Sequence, residues 1–149
     1  MIIRKARKKD LEQFIGLKKN SLKEYSVIAG CKIEMTNKQI KKELFEVVSN
    51  PKRVMLFVEK EGVIKGFLIA TLIISEYKDF GYIDDLFVSK DARGMGFASL
   101  LVNNFFKILK GKKIRDVRLG VNIRNEKAIN LYKKLGFEIK HYEMDKKLK

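Results

Sequence analysis

The sequence predicts one α/β domain built around a mixed sheet and spanning residues 1–149. Three observations predict it. Stretches with apolar residues at strand spacing alternate with stretches at helical spacing, in the order β-α-α-β-β-β-α-β-α-β-β. Two β-rich runs, Arg53 to Lys60 and Val63 to Ser75, are separated only by Glu61-Gly62, which makes a hairpin. A third run, Tyr82 to Val88, leads through Arg93-Gly94-Met95-Gly96-Phe97-Ala98 straight into an apolar helix.

The elements follow in order. Ile2 to Ala6 reads as a short edge strand. Asp10 is placed to N-cap a helix whose apolar spacing runs through Leu11, Phe14, Ile15 and Leu17-Lys18 to about Asn20 or beyond. Ser21 to Met35 carries the weakest pattern and reads as a continued helix that breaks near Gly30. Thr36 is a good N-cap for a second helix; Ile40, Leu44 and Val47-Val48 repeat at helical spacing, and Asn50-Pro51 stops it. After the hairpin, Lys78-Asp79-Phe80-Gly81 turns into the strand Tyr82 to Val88. The next helix runs from about Gly94 to Lys110, with Gly111 as its C-cap. Its wide apolar arc of Phe97, Leu100, Leu101, Phe105, Ile108 and Leu109 suits a helix lying on a sheet. Ile114 to Val121 is a strand with Val117, Leu119 and Val121 on one face. Asn125 to Leu135 is a helix ended by Gly136. Phe137 to Lys140 and Glu143 to Leu148 read as two short closing strands.

Composition narrows the function classes. Hydrophobic residues make up 46% of the chain, so it should fold. No apolar run reaches about 18 residues, so neither a spanning helix nor a membrane partner is expected. Met1 to Arg7 lacks the long apolar stretch of a signal peptide. The single cysteine, Cys31, excludes an internal disulfide and suits a reducing cytoplasm, where the protein is expected. One histidine and one cysteine do not make a zinc site of these soft ligands, and no metal is predicted. The net charge of +15 attracts anions. The lysines are spread through almost every segment, as on a solvated surface, which argues against a dedicated nucleic-acid face.

Two stretches carry candidate chemistry. Gly94-Met95-Gly96 opens a helix, whose free N–H groups and dipole suit an anion that glycine allows to come close. It is not a dinucleotide fingerprint, because position 99 is Ser99 rather than a third glycine and no βαβαβ series follows. Nor is it a P-loop, since no Gly-Lys-Ser/Thr follows. Taken alone, the turn serves close helix–sheet packing equally well. The second stretch is the helix at Asn125. At about 100° per residue, Asn125, Ala128 and Tyr132 share one stripe, while Lys127, Lys133 and Lys134 face away. An amide and a phenol therefore face inward, where both need partners. Taken alone, Tyr132 is an ordinary core tyrosine.

Together the two stretches resemble the GNAT acetyltransferases. Arg93-x-x-Gly96-x-Ala98 after a strand is similar to that family's (Gln/Arg)-x-x-Gly-x-(Gly/Ala) motif. Asn125-x-x-Ala128-x-x-Leu131-Tyr132-x-x-Leu135-Gly136-Phe137 is similar to its second signature, and the element order agrees over nearly the whole chain. The resemblance implies the GNAT acyl-CoA N-acyltransferase fold, a central mixed, mostly antiparallel sheet flanked by helices. It implies an acetyl-CoA-dependent N-acetyltransferase, in which a primary amine attacks the thioester directly in a ternary complex. Acetyl-CoA is implied as cosubstrate, lying where Tyr82–Val88 and Ile114–Val121 splay apart. Arg93 and the N–H groups of Gly94, Met95, Gly96, Phe97, Ala98 and Ser99 are implied to cradle its pyrophosphate. The main chain of Leu86, Phe87 and Val88 is implied to pair with the pantetheine arm, one N–H polarising the thioester carbonyl. Asn125 would bond the pantetheine, with Ala128 on the same stripe, and Tyr132 would be the general acid for the leaving thiolate.

Asp84 and Asp85 are the candidate general base, directly or through water. In a regular strand they point to opposite faces, so only one is expected to line the site; a bulge, common in this strand of the family, would blur that parity. A structural aspartate that bonds a neighbouring turn is the competing reading. Some relatives that act on polyamines carry an acidic pair here, which favours a cationic amine. Glu24 and Tyr25 fall where the family binds its acceptor, and His141 reads as a surface histidine. The acceptor's identity is not encoded, and a homodimer is left open. The alternative function is a CoA-binding module of this fold that works mainly as a basic interaction domain for nucleic acid or protein.

Overall fold

The structure is a computed structural model that describes residues 1–149. Five strands form one sheet in the order β1-β2-β3-β4-β5. They are β1 (Ile2–Lys5), β2 (Arg53–Lys60), β3 (Val63–Ile73), β4 (Phe80–Val88) and β5 (Asp116–Leu119). The first four pair antiparallel in sequence, and β5 lies parallel to β4. Helices α1 (Leu11–Ala29) and α2 (Asn37–Ser49) cover one face, α3 (Phe97–Gly111) and α4 (Glu126–Lys134) the other. No helix is long and apolar enough to cross a membrane.

Alternation along β2 and β3 divides the core in two. Val54, Leu56, Val58, Leu68, Ala70 and Leu72 pack with Leu101, Phe105 and Leu109 of α3. Met55, Phe57, Phe67 and Ile69 pack with Phe14 of α1 and Ile40 and Leu44 of α2. Period-2 side-chain placement gives each residue of the hairpin to one layer or the other, so the hairpin is buried on both faces.

Most boundaries agree with the sequence, and the departures have local causes. The weakly patterned stretch is helical as far as Ala29, where Gly30 adopts φ 72° and returns its N–H to the Ser26 carbonyl. Thr36 caps α2 as expected, its Oγ1 accepting from Gln39 N at 3.2 Å while Gln39 Oε1 accepts from Thr36 N at 2.7 Å. Asp10 precedes α1 but does not cap it with its side chain. Its carboxylate accepts instead from Arg4 and from the Arg7 backbone N–H. The α3 helix begins at Phe97 because Gly94 and Gly96 are left-handed, and it runs through Gly111 to a C-cap at Lys112. The two closing strands do not form. Phe137 packs on Phe106 and Tyr132, but residues 138–149 carry no strand, and Ile139 and Met144 are 59% and 92% exposed. Alternation supplies a face, while a strand also needs a partner edge, and none is engaged here.

One irregularity shapes the site. Along β3 and β4, Ile69 lies opposite Asp85 and Ala70 opposite Ile83, so Asp84 is an extra residue in the ladder. Ile83 belongs to the α3 layer, and beyond the bulge Leu86 and Val88 pack there too, while Phe87 joins the α1/α2 layer. The parity of the strand changes at Asp84.

Candidate functional site

The sheet opens between β4 and β5. The two strands pair only over Phe80–Ile83 against Asp116–Leu119. Beyond that, the β5-side edge of Asp84 to Val88, which includes the main chain of Leu86, Phe87 and Val88, has no strand partner. A row of unpaired backbone groups can add an extended ligand as a further strand.

The glycine turn lies at the end of this edge, after a short 3-10 turn at Lys90–Ala92. Gly94 and Gly96 take φ 78° and 75°. A Cβ at either would meet nothing within 4 Å, so it is the backbone conformation that calls for glycine. No N–H from Gly94, Met95, Gly96, Phe97, Ala98 or Ser99 donates within the chain; the first helical bond is Leu100 N to Gly96 O at 3.0 Å. Six consecutive free donors in the turn and at the N-terminus of α3 suit a phosphate. Arg93 is not free beside them. Its Nε donates to the Val88 carbonyl at 3.1 Å, its Nη2 to Glu24 Oε2 at 2.6 Å, and its guanidinium stacks 5.7 Å from the Phe87 ring centre. Arg93 therefore ties α1 to the start of the cradle.

Across the opening, α4 presents the expected stripe. Asn125 caps the helix, its side-chain oxygen accepting from Ala128 N at 3.2 Å. Ala128 packs against the α3 layer, and Tyr132 is 9% exposed with Phe137 edge-on at 5.4 Å. Burial, with the nearby Asp85 anion, pushes the Tyr132 phenol up to about 12. It thus keeps its proton at neutral pH and can act as a donor.

The bulge overturns the expectation that Asp84 and Asp85 face opposite sides. Thr71 shares a face of β3 with Phe67 and Ile69, the face covered by α1 and α2. Asp84 accepts from Thr71 Oγ1 at 2.7 Å and lies 3.7 Å from Arg53 Nη2, so it points to that face. Asp85 accepts from Lys18 Nζ at 2.9 Å, also on that face. Lys18 was not singled out from the sequence. It projects from α1, is 4% exposed, lies within 3.2 Å of Glu43 on α2, and sits 5.6 Å from the Phe67 ring centre. Burial opposes its charge, but Asp85 and Glu43 more than offset this and raise its pKa. Its signal was visible, since it falls on the apolar stripe of Phe14, Leu17 and Ser21.

Of the other candidates, Glu24 holds Arg93 at the start of the cradle, while Tyr25 is half-exposed and His141 exposed. Tyr82, which the sequence reading did not pick as a site residue, belongs with the pair. Gly81 and Ile83 face α3, so Tyr82 faces the side of the two aspartates. A Cβ on Gly120 would stand 3.2 Å from its hydroxyl. A cavity of about 270 Å³ between α2 and β2 is lined by Glu43 and Arg53, the partners of Lys18 and Asp84.

Comparison with known proteins bears on this geometry. The profile of the acetyltransferase (GNAT) family matches residues 22–137. An uncharacterized N-acetyltransferase of Methanocaldococcus jannaschii is 38% identical over 65 residues, which is 44% of this chain and 29% of that protein. The chain thus spans less than a third of that relative's length. The BH1408 protein from Bacillus halodurans, solved as a tetramutant, superposes with TM-score 0.86 at 21% identity, over 99% of this chain and 100% of that one. AAC(6')-Iy, solved with the bisubstrate analog CoA-S-monomethyl-acetylneamine, superposes with TM-score 0.82 at 18% identity, over 99% and 97%. At these identities the two structures speak for the fold.

Proposed function

The chain belongs to the acetyltransferase (GNAT) family, and from that premise we propose that it is an acetyl-CoA-dependent N-acetyltransferase acting on a primary amine. One observation carries the reading: six unpaired N–H groups from Gly94 to Ser99 lie at the end of an unpartnered β4 edge, with the buried, protonated Tyr132 across the opening. Acetyl-CoA, when bound, supplies the activated acetyl group. The N–H groups of Gly94, Met95, Gly96, Phe97, Ala98 and Ser99 hold the pyrophosphate. Backbone of Leu86, Phe87 and Val88 holds the pantetheine arm, and one of its N–H groups polarises the thioester carbonyl. The Asn125 amide donates to the arm beside Ala128, and Arg93 orders the cradle from the side of α1. Tyr132 donates its proton to the departing thiolate, and a carboxylate of the Asp84/Asp85 pair relieves the acceptor of its own.

Two measurements test the reading. Acetyl-CoA should raise the melting temperature, and an amine panel in a thiol-release assay should identify an acceptor; neither effect appearing would overturn it. The net charge of +15 favours a second reading, a basic module that binds nucleic acid. DNA or RNA affinity that survives physiological salt would support that reading.

A further inference from the structure

We propose that the two carboxylates at the bulge have separate tasks: Asp84 takes the proton of the acceptor ammonium, and Lys18 is a positioning residue that commits Asp85 to a buried clamp. The inference rests on the N-acetyltransferase reading and goes beyond it by dividing the pair and adding Lys18.

The partners of each carboxylate make the division. Asp85 is held by an ammonium at 2.9 Å on a side chain that is almost wholly buried. The same ammonium is shared with Glu43 at 3.2 Å and lies over the Phe67 ring. A buried lysine enclosed by two carboxylates and an aromatic face is satisfied only while both carboxylates stay ionised. A proton on Asp85 would weaken a charge-assisted bond to a buried ammonium. Asp84 is tied more loosely. The two carboxylates are similarly exposed, at 34% and 28%, so the difference lies in their partners: Asp84 bonds the neutral Thr71 hydroxyl, and its ion pair with Arg53, at 3.7 Å, is longer than a hydrogen bond. Both contacts go to Oδ2, which leaves Oδ1 open to an incoming ammonium. Tyr82 and Thr71 lie on the same sheet face as Asp84.

The step balances. The acceptor arrives as an ammonium and gives one proton to Asp84. Its nitrogen lone pair forms the C–N bond to the acetyl carbon, and the C–S bond breaks. Tyr132 protonates the sulfur, and the second proton lost by nitrogen restores the phenol. The proton on Asp84 passes to water, so the products are an amide, free CoA thiol and one proton.

Four variants test this in a thiol-release assay: D84N, D85N, K18M and the double K18M/D85N, each checked for acetyl-CoA stabilisation as evidence of folding. D84N should lose about 100-fold in kcat/KM at neutral pH, the lower end of what a general base contributes. Its remaining activity should climb with pH toward the acceptor amine's own pKa, because only the neutral amine then reacts. D85N leaves Lys18 paired with Glu43 and should lose less than about tenfold, with the wild-type pH profile kept, well short of the loss of a general base. K18M should lower kcat, and the double variant should be no worse than K18M, the non-additivity expected when one residue acts through the other. An active wild type in which D85N loses as much as D84N, or in which D84N keeps the wild-type pH profile, overturns the division alone. A wild type that releases no thiol with any amine overturns the N-acetyltransferase reading and the division with it.

Discussion

Two clusters in this molecule share one formula, a cation between two carboxylates, and differ in setting. At the β1 edge of the sheet, Arg4 gives Nη1 and Nη2 to the two oxygens of Asp10 at 2.8 and 2.9 Å and Nε to Glu59 at 2.7 Å. Near the β5 edge, Lys18 gives one ammonium to Asp85 and Glu43. The arginine fork matches its partners in two directions and joins β1, β2 and the turn before α1. β1 is itself an edge strand with one side unpaired, but the cluster beside it does no more than fasten three elements. The lysine is a point charge projecting from α1 onto Asp85 of β4, whose next residues have an open edge. What separates a fastener from a candidate machine is that the open β4 edge leads into the glycine turn and its free N–H groups; the charge count is the same.

If the clusters differ in this way, damage to them should register in different measurements. The largest effect belongs beside the Lys18 cluster. Tyr132→Phe should lower kcat by about 100-fold or more while acetyl-CoA still raises the melting temperature. Next comes the fastener. Arg4→Met removes the side-chain partner of Glu59 and the main one of Asp10, which keeps the Arg7 N–H, and should cost about 3 kcal/mol in denaturant unfolding, with kcat of the folded protein unchanged. Lost turnover in that variant would erase the contrast. A smaller effect is read by acid. Burial would raise the Asp10 pKa, but Arg4 and the Arg7 N–H outweigh it and hold the carboxyl below its ordinary 3.8. The depressed value means that its contribution is present above pH 3.8 and fades as pH falls through the folded value. An Asp10→Asn variant should therefore converge on the wild type in acid and fall short of it at neutral pH. Gly96→Ala forces a side chain onto φ 75° and should cost about 1–2 kcal/mol, with weakened acetyl-CoA stabilisation. The smallest effect concerns the exposed end of the chain: removing residues 139–149 should cost less than about 1 kcal/mol.

The fold was largely legible because its signals are local. Thr36 announces α2, Gly30 ends α1, and the hairpin follows from Glu61-Gly62. The stripe of Asn125, Ala128 and Tyr132 followed from helical geometry alone, and the glycine turn from its composition. What stayed hidden depends on distant partners. The resemblance allowed for a bulge in this strand but not its place: a bulge is one residue too many against a neighbouring strand, and Asp84 looks the same in a regular ladder. Lys18 stood on an apolar stripe, yet nothing local says that two carboxylates from α2 and β4 will meet it. The closing strands were misread for the converse reason: residues such as Phe137 and Ile139 gave them a face, and no edge received them.

The extra residue at Asp84 makes β4 a strand read in two frames. Ahead of it, Gly81 and Ile83 belong to the α3 layer; after it, Leu86 and Val88 do. Deleting one residue there would not merely shorten the strand. It would turn half of it over, driving Leu86 and Val88 toward α1 and α2 and Phe87 toward α3, unless Phe80–Ile83 slid along β3 and β5 together. Both hydrophobic layers therefore hold the residue count between Ile83 and Leu86 fixed. The spacing of the two carboxylates is inherited from the core, and any graft of this strand into another sheet must carry both layers with it to keep them side by side.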